Sequence, residues 1–174
     1  MIPTPSWEPF LLAAPGAHAA APRAITSPEG IGDRLRAAAF AEIQAREAFE
    51  WGARYFTDAP EGLRIAWRGL ARAEDRHLHW LLARMQELGV EVGDRLVSDQ
   101  LWHSLITCTE AHVFAHFMAN AEERGRKAGV RFADAMAKVD PLSAAIFGKI
   151  AEEEVEHILL AEKYFPKAGA VSEN

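Results

Sequence analysis

One cysteine, Cys108, in 174 residues leaves no partner for an intramolecular disulfide and excludes a four-cysteine iron or zinc centre within the chain, a rubrerythrin-type electron-transfer module included. A reducing, cytoplasmic setting is the expectation. No apolar run approaches the ~20 residues of a membrane span, so no membrane partner is expected. Basic residues are scattered among a larger number of acids, 19 against 25 for a net charge of −6, and no basic cluster offers a nucleic-acid surface. Threonine is scarce and there are only 2 tyrosines, so the residues that favour sheet are few. What remains is rich in Ala, Leu, Glu and Arg, a helix-forming composition, in a chain sized for one domain.

The stretch FLLAAPGAHAAAPRA, residues 10 to 24, imitates a signal peptide, but no Lys or Arg precedes it, and Glu8, Pro15 and His18 do not suit one. Residues 1–26 are therefore expected to form an irregular arm along the fold, 27–166 a helical bundle, and 167–174 a C-terminal tail.

Four helices follow from punctuation and period. Ser27-Pro28-Glu29 is a cap followed by proline at the first helical position, and the apolar period runs on to about Phe56. Asp58 is placed to cap a second helix ending at Leu88, before Gly89. Residues 89 to 106, eighteen in all, hold no sustained period and form a long connection. Thr107 and Glu110 have capping-box spacing and would open a third helix to about Lys138; Asp140-Pro141 opens a fourth that runs to about Tyr164. An antiparallel turn between the second and third helices would need only about two to eight residues. The connection can stretch roughly 60 Å, enough to return along the bundle and start the third helix parallel to the second. The expected fold is all-α, a ferritin-like four-helix bundle with one long crossover between its second and third helices.

Within this frame one motif recurs. Glu74 and His77 form a Glu-x-x-His pair on the second helix, and Glu154 and His157 form another on the fourth. Thirty-two positions before Glu74 stands Glu42, and 32 before Glu154 stands Glu122; the midpoints, 58 and 138, fall at or beside the two expected turns. In each hairpin the single Glu and the Glu-x-x-His pair therefore sit at the same height, roughly 24 Å from the turn. Helical steps of three, four and seven from these residues reach Leu35, Ala39 and Phe49, then Trp67, Leu78 and Leu81, then Ala115, Met118, Ala119, Gly125 and Gly129, then Phe147, Ile150 and Ile158, with Arg126 the exception. Each carboxylate thus lies in a core stripe.

Four carboxylates and two imidazoles at one level of an apolar core cannot remain free ions, because each unpaired buried charge costs several kcal/mol. Two divalent cations would balance four carboxylates, and oxygen donors with imidazole and no thiolate suit iron, with manganese or zinc as alternatives. Glu42, Glu74, His77, Glu122, Glu154 and His157 are the candidate metal ligands. Glu122 is preferred to Glu123 because only it keeps the 32-residue offset. Glu152, Glu153 and Glu156 are read as solvated or as supporting the ligands, Glu153 within reach of the His157 face; His112 and His116 lie off the stripe and are read as surface or packing residues. Trp51 lies roughly opposite Glu42 and Trp80 to one side of Glu74, each suited to cover a neighbouring element or a subunit contact. Ala115, Ala119, Gly125 and Gly129 serve either a substrate pocket or close helix packing.

The runs LRIAWRGLARAEDRHLHWLLARMQELGVEVGD, AEIQAREAF and EERGRKAG resemble a bacterial family of ferritin-like proteins catalogued as a domain of unknown function, more distantly similar to the tRNA isopentenyladenosine hydroxylase. The likeness covers about residues 33 to 160. It implies a di-iron centre in which Glu74 and Glu154 bridge the metals, Glu42 and His77 complete one site, and Glu122 and His157 the other. The chain departs from the pattern of that family at Ala41, where a polar residue is common, and at Arg126-Lys127, where Leu-Asp is usual; the six ligands are intact. The expected function is an O2- or peroxide-activating di-iron oxidoreductase using a reductant and a small-molecule or modified-nucleoside substrate. Ferroxidase and iron handling, or a metal-stabilised binding bundle, are the alternatives, with a monomer or homodimer expected rather than a cage.

Overall fold

The computed structural model describes residues 4–167, so the expected C-terminal tail lies, from residue 168 on, outside the described residues. Four long helices, α1 (Pro28–Tyr55), α2 (Glu61–Glu87), α4 (Ala111–Met136) and α5 (Pro141–Tyr164), are joined by short turns within each hairpin and by a connection containing a short helix, α3 (Gln100–Leu105). There is no strand among the described residues; one isolated bridge pairs Leu12 with Val97. None of these helices is long and apolar enough to cross a membrane.

The cap-plus-proline signals act as read. Ser27 Oγ accepts from Gly30 N–H at 3.0 Å ahead of Pro28. Asp140 accepts from Ser143 N–H at 3.1 Å ahead of Pro141. Gly89, at φ +66°, ends α2 by letting Val90 N–H reach back to the Met85 carbonyl at 2.9 Å.

Two expected caps do not form. The second helix starts at Glu61 behind Pro60, not behind Asp58, because a residue preceding proline is held out of the helical region and Ala59 precedes Pro60. The Thr107–Glu110 capping box is also absent: Glu110 flanks α4 without a side-chain bond, while Thr107 Oγ1 donates to the Ser104 carbonyl at 2.7 Å and closes α3. The connection is more ordered than its mixed polarity suggested, since it borrows its contacts from α1. Arg36 donates to the carbonyls of Glu91 and Val92 at 2.8 and 2.9 Å, and Trp102 N–H donates to Gln44 Oε1 at 3.0 Å. The N-terminal arm lies on the same face, with Trp7 and Phe10 against Phe40 and the backbone of Leu11 and Ala13 bonded to Val97.

Contacts between hairpins set the helix directions. Arg84, late in α2, donates to Asp140 at the start of α5, and Gly62, early in α2, lies under the Tyr164 hydroxyl at the end of α5. These two helices are antiparallel. Gly52, near the end of α1, lies against Phe114 at the start of α4, so α1 and α4 are antiparallel as well. It follows that α2 and α4 run parallel and that the connection crosses the length of the bundle. Gly52 is required there: a Cβ would lie 2.5 Å from the Phe114 ring.

The core is divided. One apolar cluster contains Phe49, Trp51, Phe56, Trp67, Trp102 and Phe114; the other contains Leu35, Phe40, Leu78, Leu81, Met136 and Phe147. The Glu and His residues singled out above lie between these apolar layers. Trp51, read as a cover for a neighbouring element, does this from inside, packed edge-on against Trp102 and Phe114.

Candidate metal centre

All six residues converge. One ligand atom from each of Glu42, Glu74, His77 and Glu154 lies within 4.8 Å of the others, and the same holds for Glu74, Glu122, Glu154 and His157. Glu74 and Glu154 belong to both sets, so each pair of helices supplies one shared carboxylate, one unshared carboxylate and one imidazole. The equal offsets in sequence become equal depth because each hairpin turns at nearly the same distance from its pair. All six are buried; Glu74 and His77 are 0% exposed.

Close approach does not satisfy these atoms. His77 Nδ1 lies 3.4 Å from Glu154, 3.5 Å from Glu74 and 3.8 Å from Glu42, and His157 Nδ1 lies 2.8 Å from Glu74 and 3.2 Å from Glu154. Nevertheless both oxygens of Glu74, both of Glu154 and the two Nδ1 atoms lack a hydrogen-bond partner. Buried polar atoms in folded proteins are nearly always paired, and orphans cost about 1–3 kcal/mol each, more when charged. These six orphans, all nitrogen or carboxylate oxygen, belong to the residues of the two sets and fit a metal ion as their missing partner.

The electrostatics without a metal agree. Burial, reinforced by the neighbouring Glu74 and Glu154, pushes the Glu42 carboxyl well above the ordinary range, with the His77 contact opposing it. Burial and the same two charges do likewise for Glu122. Burial would also raise Glu74 and Glu154, but the contacts of Glu74 with both imidazoles, and of Glu154 with Glu122 and both imidazoles, outweigh it and hold both low. Burial would neutralise the imidazoles; the surrounding carboxylates reverse this and push His77 up to about 12 and His157 to about 10. The raised Glu42 and Glu122, the lowered Glu74 and Glu154 and the raised imidazoles together move the metal-free cluster toward a net charge near zero, as burial favours.

Glu153 holds the outer side of His77. Its carboxylate accepts from His77 Nε2 at 2.9 Å and from Arg76 at 2.6 Å. That contact leaves Nδ1 pointing into the cluster without a proton of its own when the ring is neutral, the arrangement typical of metal-bound histidine. Partial burial works to raise Glu153, but His77 and Arg76 together hold it below its usual value. The sequence reading put Glu153 near the His157 face of its own helix; the structure gives it instead to a histidine on α2. Trp80 lies against the same ring, with centroids 5.4 Å apart.

The neighbouring choices resolve by direction. Glu122 turns inward at 8% exposure, whereas Glu123 turns outward to Arg126 and Lys127 at 2.7 and 3.2 Å. His116 Nε2 pairs with the Phe165 carbonyl at 2.8 Å, and His112 is exposed beside Glu110, so neither joins the cluster. On the α1–α4 side a cavity of about 280 Å³ reaches Glu42, Glu122 and Glu154.

Residues 4–173 match the family model described as "Protein of unknown function (DUF455)", and the chain belongs to that family. No curated protein and no solved structure matches it.

Proposed function

We propose that this protein is a ferritin-like dinuclear metal carboxylate protein that binds two divalent ions, iron by preference, through Glu42, Glu74, His77, Glu122, Glu154 and His157, and acts as an O2- or peroxide-activating oxidoreductase. The observation that carries the reading is the pair of four-residue ligand sets sharing Glu74 and Glu154, with orphaned donor atoms converging on each. Ferrous ions held there would supply electrons for reduction of O2 or peroxide. Glu74 and Glu154, common to both sets, would serve both ions, Glu42 with His77 would hold one and Glu122 with His157 the other, and Glu153 orients His77. The apolar layers above and below keep bulk water out. A cavity that opens onto three of the carboxylates favours a substrate-directed reaction over iron storage, which has no use for a small apolar chamber.

The test begins with elemental analysis of protein purified without added metal, followed by anaerobic loading with ferrous iron and measurement of O2 uptake. Two ions per chain and O2 consumption by a monomer or dimer on a sizing column are expected. Two bound ions with no O2 or peroxide consumption would leave a metal-stabilised bundle, and elution hundreds of kilodaltons above the monomer would favour storage.

A further inference from the structure

The cavity beside the carboxylates carries information about what enters it. Its volume of about 280 Å³ is at the small end for ligand sites. It runs inward from the exposed Ala37, Ala41 and Gly125 to the buried Glu42, Glu122 and Glu154. Between these ends the walls are Ala38, Ala45 and Ala128 with the rings of Phe132 and Phe147, which meet edge to face at 5.3 Å.

The charged residues lining it are Glu42, Glu122, Glu154 and Arg126. Arg126 is committed: its Nε and Nη2 donate to Glu123 at 2.7 and 3.0 Å. No uncommitted cation among the lining side chains therefore greets an anionic ligand. The inner end includes Glu154, 3% exposed and with neither oxygen hydrogen-bonded, which marks it as the reacting end.

Two glycines separate packing from free space. At Gly129 a Cβ would lie 3.4 Å from the Phe147 carbonyl and 3.7 Å from Ala151, so this glycine lets α4 approach α5. At Gly125 a Cβ would meet nothing within 4 Å. Gly125 leaves room.

The geometry points to an uncharged apolar substrate, or the apolar arm of a larger one, that passes Ala41 and Gly125 and presents its terminal carbon beside Glu42, Glu122 and Glu154. What happens to that carbon rests on the dinuclear reading above; the binding does not. A molecule whose only recognition is burial gains about fourfold in affinity for each methylene added, until the chamber is full.

The experiment is isothermal titration of zinc-loaded protein, which is redox-inert, with butan-1-ol, hexan-1-ol and octan-1-ol. The alcohols should tighten about fourfold per methylene until they plateau. Gly125→Leu introduces no backbone clash and a better helix former, so it should keep fold and zinc content while losing tenfold or more in octan-1-ol affinity. Gly148→Ala, equally free of contacts and outside the cavity, should bind as the parent does. No alcohol binding, no dependence on chain length, or undiminished binding by Gly125→Leu would each overturn the inference. The two readings fail separately: zinc uptake without alcohol binding removes the apolar site alone, whereas alcohol binding with these features in protein that takes up no zinc removes the metal centre alone.

Discussion

Nδ1 of His157 stands 2.8 Å from Oε1 of Glu74, yet the two are not hydrogen-bonded. The distance is that of a strong ion pair, but the geometry is not that of a hydrogen bond, and both residues belong to one of the two four-residue sets whose ligand atoms lie within 4.8 Å of one another. A metal ion held by that set, as proposed, would supply the missing partner of both atoms.

Sharing decides what each ligand is worth. His77→Ala removes a donor from one set only, whereas Glu154→Ala removes a donor from both. Elemental analysis should find about one ion per chain in His77→Ala and fewer in Glu154→Ala. Equal, full occupancy in both variants would contradict these roles.

Glu153 should act through His77 alone. Glu153→Gln keeps size while weakening the acceptor for Nε2. Affinity at the His77 site should fall by about 10- to 100-fold, with the His157 site retained, as competition against a chelator would reveal by splitting one binding phase into two. Glu152→Gln, whose carboxylate pairs with neither ring, is the comparison.

Metal loading should expel protons. Near pH 7 the metal-free cluster holds protons on His77 and His157, and burial pushes Glu42 and Glu122 in the same direction. Ligation requires each of these groups deprotonated. At least about two protons should leave as the metal enters, measurable by titration in buffers of different ionisation enthalpy. Release of fewer than about two would mean that the cluster is not protonated as its burial demands.

Stability should fall with rising pH far more steeply without metal than with it. For Glu42, Glu122, His77 and His157 the folded values exceed the unfolded ones, so the stability they contribute is complete below the unfolded values and is lost as pH rises toward about 10 and 12 for the two imidazoles. Glu74 and Glu154 are held low, and their contribution disappears as pH falls through the acid range. Metal-free protein should therefore melt highest near the ordinary carboxylate value of 4.5, progressively lower above it, and more steeply lower above the ordinary imidazole value of 6.5. Metal-loaded protein should instead gain on the metal-free form as pH rises, since protons no longer compete for the ligands. Parallel melting curves from pH 5 to 9 would show that the six groups are not buried together.

Much of this was legible in the sequence for one physical reason: caps, glycine stops and apolar stripes are written in residues that are neighbours along the chain. Ser27-Pro28, Gly89 and Asp140-Pro141 placed helix ends without reference to anything distant, and two antiparallel hairpins then brought the positions 32 apart to equal depth. The eighteen-residue connection likewise announced the crossover by its length alone. Other features depended on partners that the chain meets only when folded. Residues 100–105 are helical because Gln44 receives Trp102 N–H, a bond across 58 positions, and Thr107 is then spent on α3 instead of capping α4. Pro60 displaced Asp58 as the start of α2 through a local rule, one that was in the sequence and outweighed the cap. Glu153 shares its helix with His157 but pairs with His77 on another, and Gly125 and Gly129, one turn apart on one stripe, divide into cavity and contact. Spacing along a helix names the face a residue occupies; only the packing of a second helix against that face decides whether it meets a ligand, a ring or open space.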